Sequence, residues 1–222
     1  MAVLQDNVTV ITYYFFCMEF NTLASKTAVE TAIAALQARN VEAEVLATGA
    51  QALEKIKALI PQGASVMNGS SRTLEEIGFV EHLKSGTHGW NNLHEAVLKE
   101  ADPAKQAKLR KESVLSDVYL GSAHAIAETG EMVFASNSGS QLPHLVFTSP
   151  TIILVVSTKK ITPTLTDAIT RVREYVYPLE DKRMKDVGYG GSQISKLLIW
   201  EKEPAMMGRK AHVLFVEEDL GF

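Results

Sequence analysis

Three short polar segments carry the residue types that could do chemistry. The first is Asn68-Gly69-Ser70-Ser71-Arg72, which ends a short apolar run at Val66-Met67 and leads into Thr73-Leu74-Glu75-Glu76. Thr73 reads as the N-cap of a helix, with Glu76 three positions on to complete a Thr-x-x-Glu capping box. Small residues between a strand and a helix N-terminus leave backbone N–H groups free to face an anion, and the helix dipole adds about half a positive charge there. Arg72 would add a bidentate clamp for a carboxylate or phosphate. The same residues also satisfy a plain, well-capped strand-to-helix turn.

The second segment, Glu128-Thr129-Gly130, is a polar turn between short apolar pieces at Val118–Leu120 and Met132–Phe134. Lodged between such pieces and buried, Glu128 would have a raised pKa and serve as nucleophile or general base; in a solvated turn it would do neither. The third is the glycine turn Asn137-Ser138-Gly139-Ser140, continuing into Gln141-Leu142-Pro143-His144. The six histidines are scattered, and His88 and His94 lack the i, i+4 spacing of a helical metal pair, so no metal site is expected. His124 and His144 stand apart because they adjoin the glycine turns. Ser70 and Ser71 lack a Gly-x-Ser-x-Gly elbow, and neither a phosphate-binding loop with its lysine nor a Gly-x-Gly-x-x-Gly fingerprint is present.

These segments need a frame. Ser25–Asn40 carries Val29, Ile33 and Leu36 as a helical stripe, and Asn40 is placed to end it. Val41–Leu46 alternates as a strand, 50–60 is a second amphipathic helix ended by Pro61, and strand 65–67 precedes helix 73–83. After a polar helical stretch from Leu93, Asp102-Pro103 supplies a cap and first position for a fresh helix; its lysines and arginines read as a solvated face. Thr151–Val156 is apolar without alternation, as expected of a strand covered on both faces. A helix carrying Ile169, Val172 and Val176 follows, then Pro178, the glycine cluster 188–192, and two strands at 195–200 and 212–216. Strands separated by helices predict βαβ units: an α/β fold with a mostly parallel open sheet and helices on both faces, Val66-Met67 and Ile152–Val156 being central.

Composition narrows the function classes. The chain has 222 residues, 46% of them apolar and 22% charged, and a net charge of −4, which gives no basic surface for nucleic acid or anionic membrane. A single cysteine, Cys17, excludes an internal disulfide and an iron–sulfur cluster held by this chain alone, and a reducing cytoplasm is the expected home. The apolar run from Val8 to Phe20 fits neither a secretory signal nor a span of about 20 residues. An extra strand, a packed helix and upstream sequence before a start at Met18 all stay open for it.

At this point a resemblance enters. Gly-Ser-Ser-Arg-Thr-Leu-Glu-Glu-Ile-Gly (69–78), Ser116–Leu120, Ala125–Glu131, Lys160-Ile161 leading to Ala168–Val172, and the closing Val213–Phe222 together resemble the LUD (lactate utilisation) domain family. The match runs over about 21–222, predicting one domain there and an extension at 1–20 of undefined status. The resemblance implies a three-layer α/β/α sheet like that of sugar-phosphate isomerases and CoA transferases. It also implies a component of lactate utilisation that handles a small hydroxy or keto acid, with iron–sulfur clusters held only by partner subunits. Where many stand-alone relatives carry a Gly-Asn-Arg type segment, this chain has Gly139–His144, closer to the subgroup encoded beside iron–sulfur proteins. A second function class stays open, a self-contained transferase- or isomerase-like enzyme of the related fold using Glu128. Either way, a small anionic metabolite is expected at the strand carboxyl ends. Its site would be formed by Asn68, Gly69, Ser70, Ser71 and Arg72, by Thr129 and Gly130 beside Glu128, and by Gly139, Ser140, Pro143 and His144.

Overall fold

A computed structural model describes residues 20–222. The apolar run that starts at Val8 therefore lies outside the described residues, Phe20 excepted. The strands are β1 Glu42–Leu46, β2 Ser65–Asn68, β3 Asn91–Asn92, β4 Val118–Gly121, β5 Ala125–Ala127, β6 Met132–Ser136, β7 Thr151–Ser157, β8 Ile161–Thr162, β9 Lys196–Trp200 and β10 Lys210–Val216. The helices are α1 Lys26–Gln37, α2 Gly49–Leu59, α3 Arg72–Glu76, α4 Phe79–Ser85, α5 Leu93–Lys99, α6 Pro103–Glu112, α7 Leu165–Arg171 and α8 Tyr177–Asp186.

Six strands form a wholly parallel sheet in the order β1-β10-β7-β4-β2-β3. The period of two sends alternate side chains of β7 to opposite faces. Ile152, Leu154 and Val156 join Val29, Ala32 and Leu36 of α1, whereas Ile153 and Val155 join Ala52 and Ile56 of α2 with Leu74 and Phe79. This is the expected α/β architecture, with helices on both faces and β7 inside the sheet. The other expected central strand, β2, lies one place in from the edge, beside the two-residue β3.

The pieces around 125–134 build something the sequence reading did not assign. They form a second, four-stranded sheet in the order β8-β5-β6-β9. Ile126, Met132, Phe134 and Trp200 of this sheet share the core of α1, and Ala125 and Val133 pack on Ala168 and Val172 beyond it. The two closing strands are thus divided, β9 to the small sheet and β10 to the large one.

Two helices depart from expectation for local reasons. The single helix expected over 73–83 is broken at Gly78, whose φ of 80° is left-handed and separates α3 from α4. Conversely, the helix from Leu165 does not stop at Pro178. Between α7 and α8 the turn Val172–Val176 widens to π geometry, with the Tyr177 N–H donating to the Val172 carbonyl. A widened turn relieves the clash of a proline ring with the carbonyl four residues back, so the helix continues to Asp186.

Arg39, just past α1, joins the small sheet to the rest. Its Nε donates to the Thr129 carbonyl at 2.9 Å, Nη1 to the Glu201 carbonyl at 2.6 Å, and Nη2 to the Glu131 carboxylate at 2.6 Å. Charge-assisted bonds of this kind are worth about 1.5–3 kcal/mol when lost with their partners left behind. Arg39→Ala should therefore lower the urea-unfolding free energy by about 2 kcal/mol, and Arg39→Lys, which lacks the fork, should recover less than half of that.

Candidate functional site

The carboxyl ends of β2, β4 and β7 open into a cleft of about 510 Å³, walled on its far side by β6, by the widened helix turn with α8, and by 189–194. Gly69, Ser70, Ser71, Arg72 and Ser140 line it, as expected for a ligand crevice of an open α/β sheet. Asn68 is buried next to Gly69 without lining the cleft, with Nδ2 on the Gly69 carbonyl at 3.1 Å and Oδ1 without a partner among the described residues. Gly139 lies in the adjoining turn, where its N–H donates to Ser136 Oγ.

Other expected residues lie elsewhere. Glu128-Thr129-Gly130 is the hairpin turn between antiparallel β5 and β6, closed by the Gly130 N–H on the Ala127 carbonyl at 2.8 Å. It meets Arg39 and the end of α1, and none of its three residues lines the cleft. The three segments therefore do not converge: two do, and the Glu128 turn occupies the opposite end of β5. Pro143 and His144 also stand back from the wall. His144 is buried, stacked on Tyr119 at 4.4 Å, with Nδ1 2.9 Å from Ser149 Oγ, and burial pulls its pKa down to about 4. It packs against Tyr119 and does not line the cleft.

Tyr119 in turn bounds the first loop. The Gly69 N–H donates to the Leu120 carbonyl at 3.3 Å, the Tyr119 hydroxyl lies against Gly69, and burial pushes the ionisation of the phenol upward. A Cβ placed on Gly69 would lie 2.6 Å from the phenol oxygen, and no other atom would come closer than 3.5 Å. The glycine is required by one hydroxyl.

The helix start differs from the reading of the sequence. Ser71, not Thr73, caps α3, its Oγ accepting from the Leu74 N–H at 3.3 Å. Thr73 Oγ1 instead accepts from Lys160 Nζ at 2.9 Å. Arg72 turns to its own helix, 3.0 Å from both Glu75 and Glu76, with its side chain 43% exposed. Because α3 has only five residues, its dipole is short and adds little.

The positive charge comes from deeper residues. Lys160, 4% exposed and just before β8, also donates to Ser122 Oγ at 3.2 Å. Burial, reinforced by Arg171 and Lys159, brings its pKa down to about 7. Arg171, fully buried on α7, donates to the backbone oxygens of His124 at 2.5 Å, Phe222 at 3.3 Å and Phe20 at 3.2 Å, while its Nε has no partner among the described residues. Among the described residues, neither Lys160 nor Arg171 is paired with an Asp or Glu side chain, in contrast to Lys159, which is paired with Asp219. His124, on the cleft wall, accepts the Ala135 N–H at Nδ1, and burial with the two neighbouring cations holds it neutral, near pKa 3. Among the described residues, no cluster of three or more His, Cys, Asp or Glu side chains is placed to hold a metal ion.

Lys160, Arg171 and Tyr119 were not singled out by their types. A signal was nonetheless present: Lys159-Lys160 interrupts the most apolar stretch of the chain at the carboxyl end of its central strand.

Two outcomes follow. Gly69→Ala should cost about 1–3 kcal/mol of stability, and in a Tyr119→Phe background that penalty should shrink to under about 1 kcal/mol, a coupling that a double-mutant unfolding cycle measures. For Lys160, the unfolded chain keeps its proton to about pH 10.4 while the folded site releases it near 7, so the unfolded state binds more protons in between and stability contributed by this group rises with pH. Lys160→Met should therefore raise the melting temperature most below pH about 7, and the gain should fade toward pH about 10.

A family model described as the LUD domain matches residues 29–196. The structure is similar to the crystal structure of a DUF162 family protein from Deinococcus radiodurans, with a TM-score of 0.50 and 10% sequence identity over 88% of this chain and 99% of that one. No curated protein sequence matches the chain. At that identity the likeness speaks for the fold alone, but a family model covering well over half the sequence fixes the lineage: the chain belongs to the LUD-domain family.

Proposed function

We propose that this LUD-domain protein binds a small anionic metabolite, a hydroxy or keto acid, in the cleft at the strand carboxyl ends, as a component of lactate utilisation. The observation that carries the reading is a pair of buried cations, Lys160 and Arg171, neither of which is paired with an Asp or Glu side chain among the described residues. A buried charge is costly unless paired, and a bound carboxylate would supply the missing charge. The cleft has room for a small acid together with its waters. Redox centres would come from iron–sulfur partner subunits, since one cysteine cannot hold a cluster. Glu128 is the weaker support for a self-contained enzyme, because its turn lies away from the cleft.

Calorimetric titration of lactate, pyruvate and inorganic phosphate into the full chain tests this. Binding should tighten as pH falls through about 7, because an anion favours protonated Lys160. Lys160→Met should weaken it about ten- to a hundredfold, in line with one lost charge-assisted bond. Arg72→Ala, whose guanidinium is already engaged by two carboxylates, should cost less than about tenfold. Absence of anion binding, or equal affinity in the Lys160 variant, would overturn the reading.

A further inference from the structure

We propose that Lys160 is a nucleophile that captures the ketone carbon of a 2-oxo acid as a Schiff base, an inference that rests on the small-anion reading of the same cleft. The geometry separates this lysine from its neighbour. Lys159 is spent on Asp219 and on the Gly221 carbonyl at 2.6 Å. Among the described residues, Lys160 has only hydroxyl partners, Thr73 Oγ1 at 2.9 Å and Ser122 Oγ at 3.2 Å. Ser122 gives its own proton to the Ala123 carbonyl at 3.2 Å, so it accepts from the lysine rather than donating to it. A neutral amine that donates two N–H bonds to these oxygens keeps its lone pair uncommitted.

The surrounding charges favour that neutral form. Arg171 on α7 and Lys159 in the same turn lower the proton affinity of Lys160, Glu76 on α3 opposes them, and His124 beside β5 is neutral. Glu76 is already occupied, with Oε1 on Arg72 at 3.0 Å and Oε2 on the Gly221 N–H at 2.6 Å. Amines desolvated beside another cation are the ones that form Schiff bases near neutral pH. The cations that depress the amine also attract the carboxylate of a 2-oxo acid, placing a carbonyl within its reach.

The step balances without any oxidant. The Nζ lone pair forms a bond to C2, and the carbonyl electrons move to oxygen, giving a carbinolamine. The oxygen then leaves as water carrying the two protons originally on nitrogen, and a C=N bond replaces the C=O and N–H bonds. Lactate, which has no carbonyl, binds the same site without reacting.

The test uses the full chain with pyruvate and cyanoborohydride, read by intact mass and peptide mapping. One reduced adduct on Lys160 is expected with pyruvate, none with lactate, and excess lactate should slow its formation. The trapping rate should rise as pH increases from about 6 to about 8, opposite in sign to the affinity for lactate. Lys160→Arg, which keeps the charge, and Lys160→Met should both abolish the adduct, their folding being checked by circular dichroism. Pyruvate binding in calorimetry without an adduct would overturn the nucleophile and leave the anion site standing. Neither binding nor an adduct would overturn both. Labelling spread over the exposed lysines at rates equal to that of Lys160 would also overturn the nucleophile.

Discussion

The constraint that organises this molecule is the apolar character of β7 on both of its faces. A strand reading Thr-Ile-Ile-Leu-Val-Val-Ser cannot leave either side to water, so one face must meet α1 and the small sheet and the other α2 with α3 and α4. Burying five such side chains fully is worth about 1.5–3 kcal/mol each, which is ample to fix the layers around it. The parallel order then sends the carboxyl ends of β2, β4 and β7 to one edge, and the cleft is what remains between that edge and the second sheet.

Much of this frame was legible in the residues. The unbroken β-branched run named the inner strand, alternation named β1, and Ser-Arg-Thr after Val-Met-Asn marked a strand-to-helix turn at the crevice. Local chemistry also located the caps to within two residues: Asp102 accepts from the Ala104 and Lys105 N–H groups with Pro103 following, as expected. The choice of Ser71 over Thr73 was not legible, because what decides it is a lysine 87 positions away that takes the threonine hydroxyl. The small sheet was hidden for a similar reason. Strands of two, three and five residues carry too little period to be assigned until β8 is seen beside β5, across a separation set entirely by tertiary folding.

The site was half legible. Gly69–Arg72 could be placed because a turn after a strand has a local signature. Lys160 and Arg171 sit in strings that support the family resemblance, yet a lysine or arginine in a sequence reads as surface until its burial is known. Glu128 misled in the opposite sense: short apolar pieces at Val118–Leu120 and Met132–Phe134 suggested a buried carboxylate, but the first is β4 of the large sheet, and the turn is the tip of the β5–β6 hairpin, which meets Arg39. Flanking apolarity describes the strands, and says little about where their turn points.

Arg171 illustrates what a buried cation held by main-chain oxygens can do to a chain. One guanidinium ties backbone oxygens at Phe20, His124 and Phe222, residues 151, 47 and 51 positions from it, so it acts as a cross-link made of hydrogen bonds alone. Such a link closes loops whose entropy falls only slowly with length, and its strength varies with the electrostatic potential around the charge. Those segments and the cleft therefore share one energetic element. On the proposed reading, an anion held near Lys160 would alter the amide protection of Phe222, which lines the cleft, and of Phe20, which shares only the guanidinium with it.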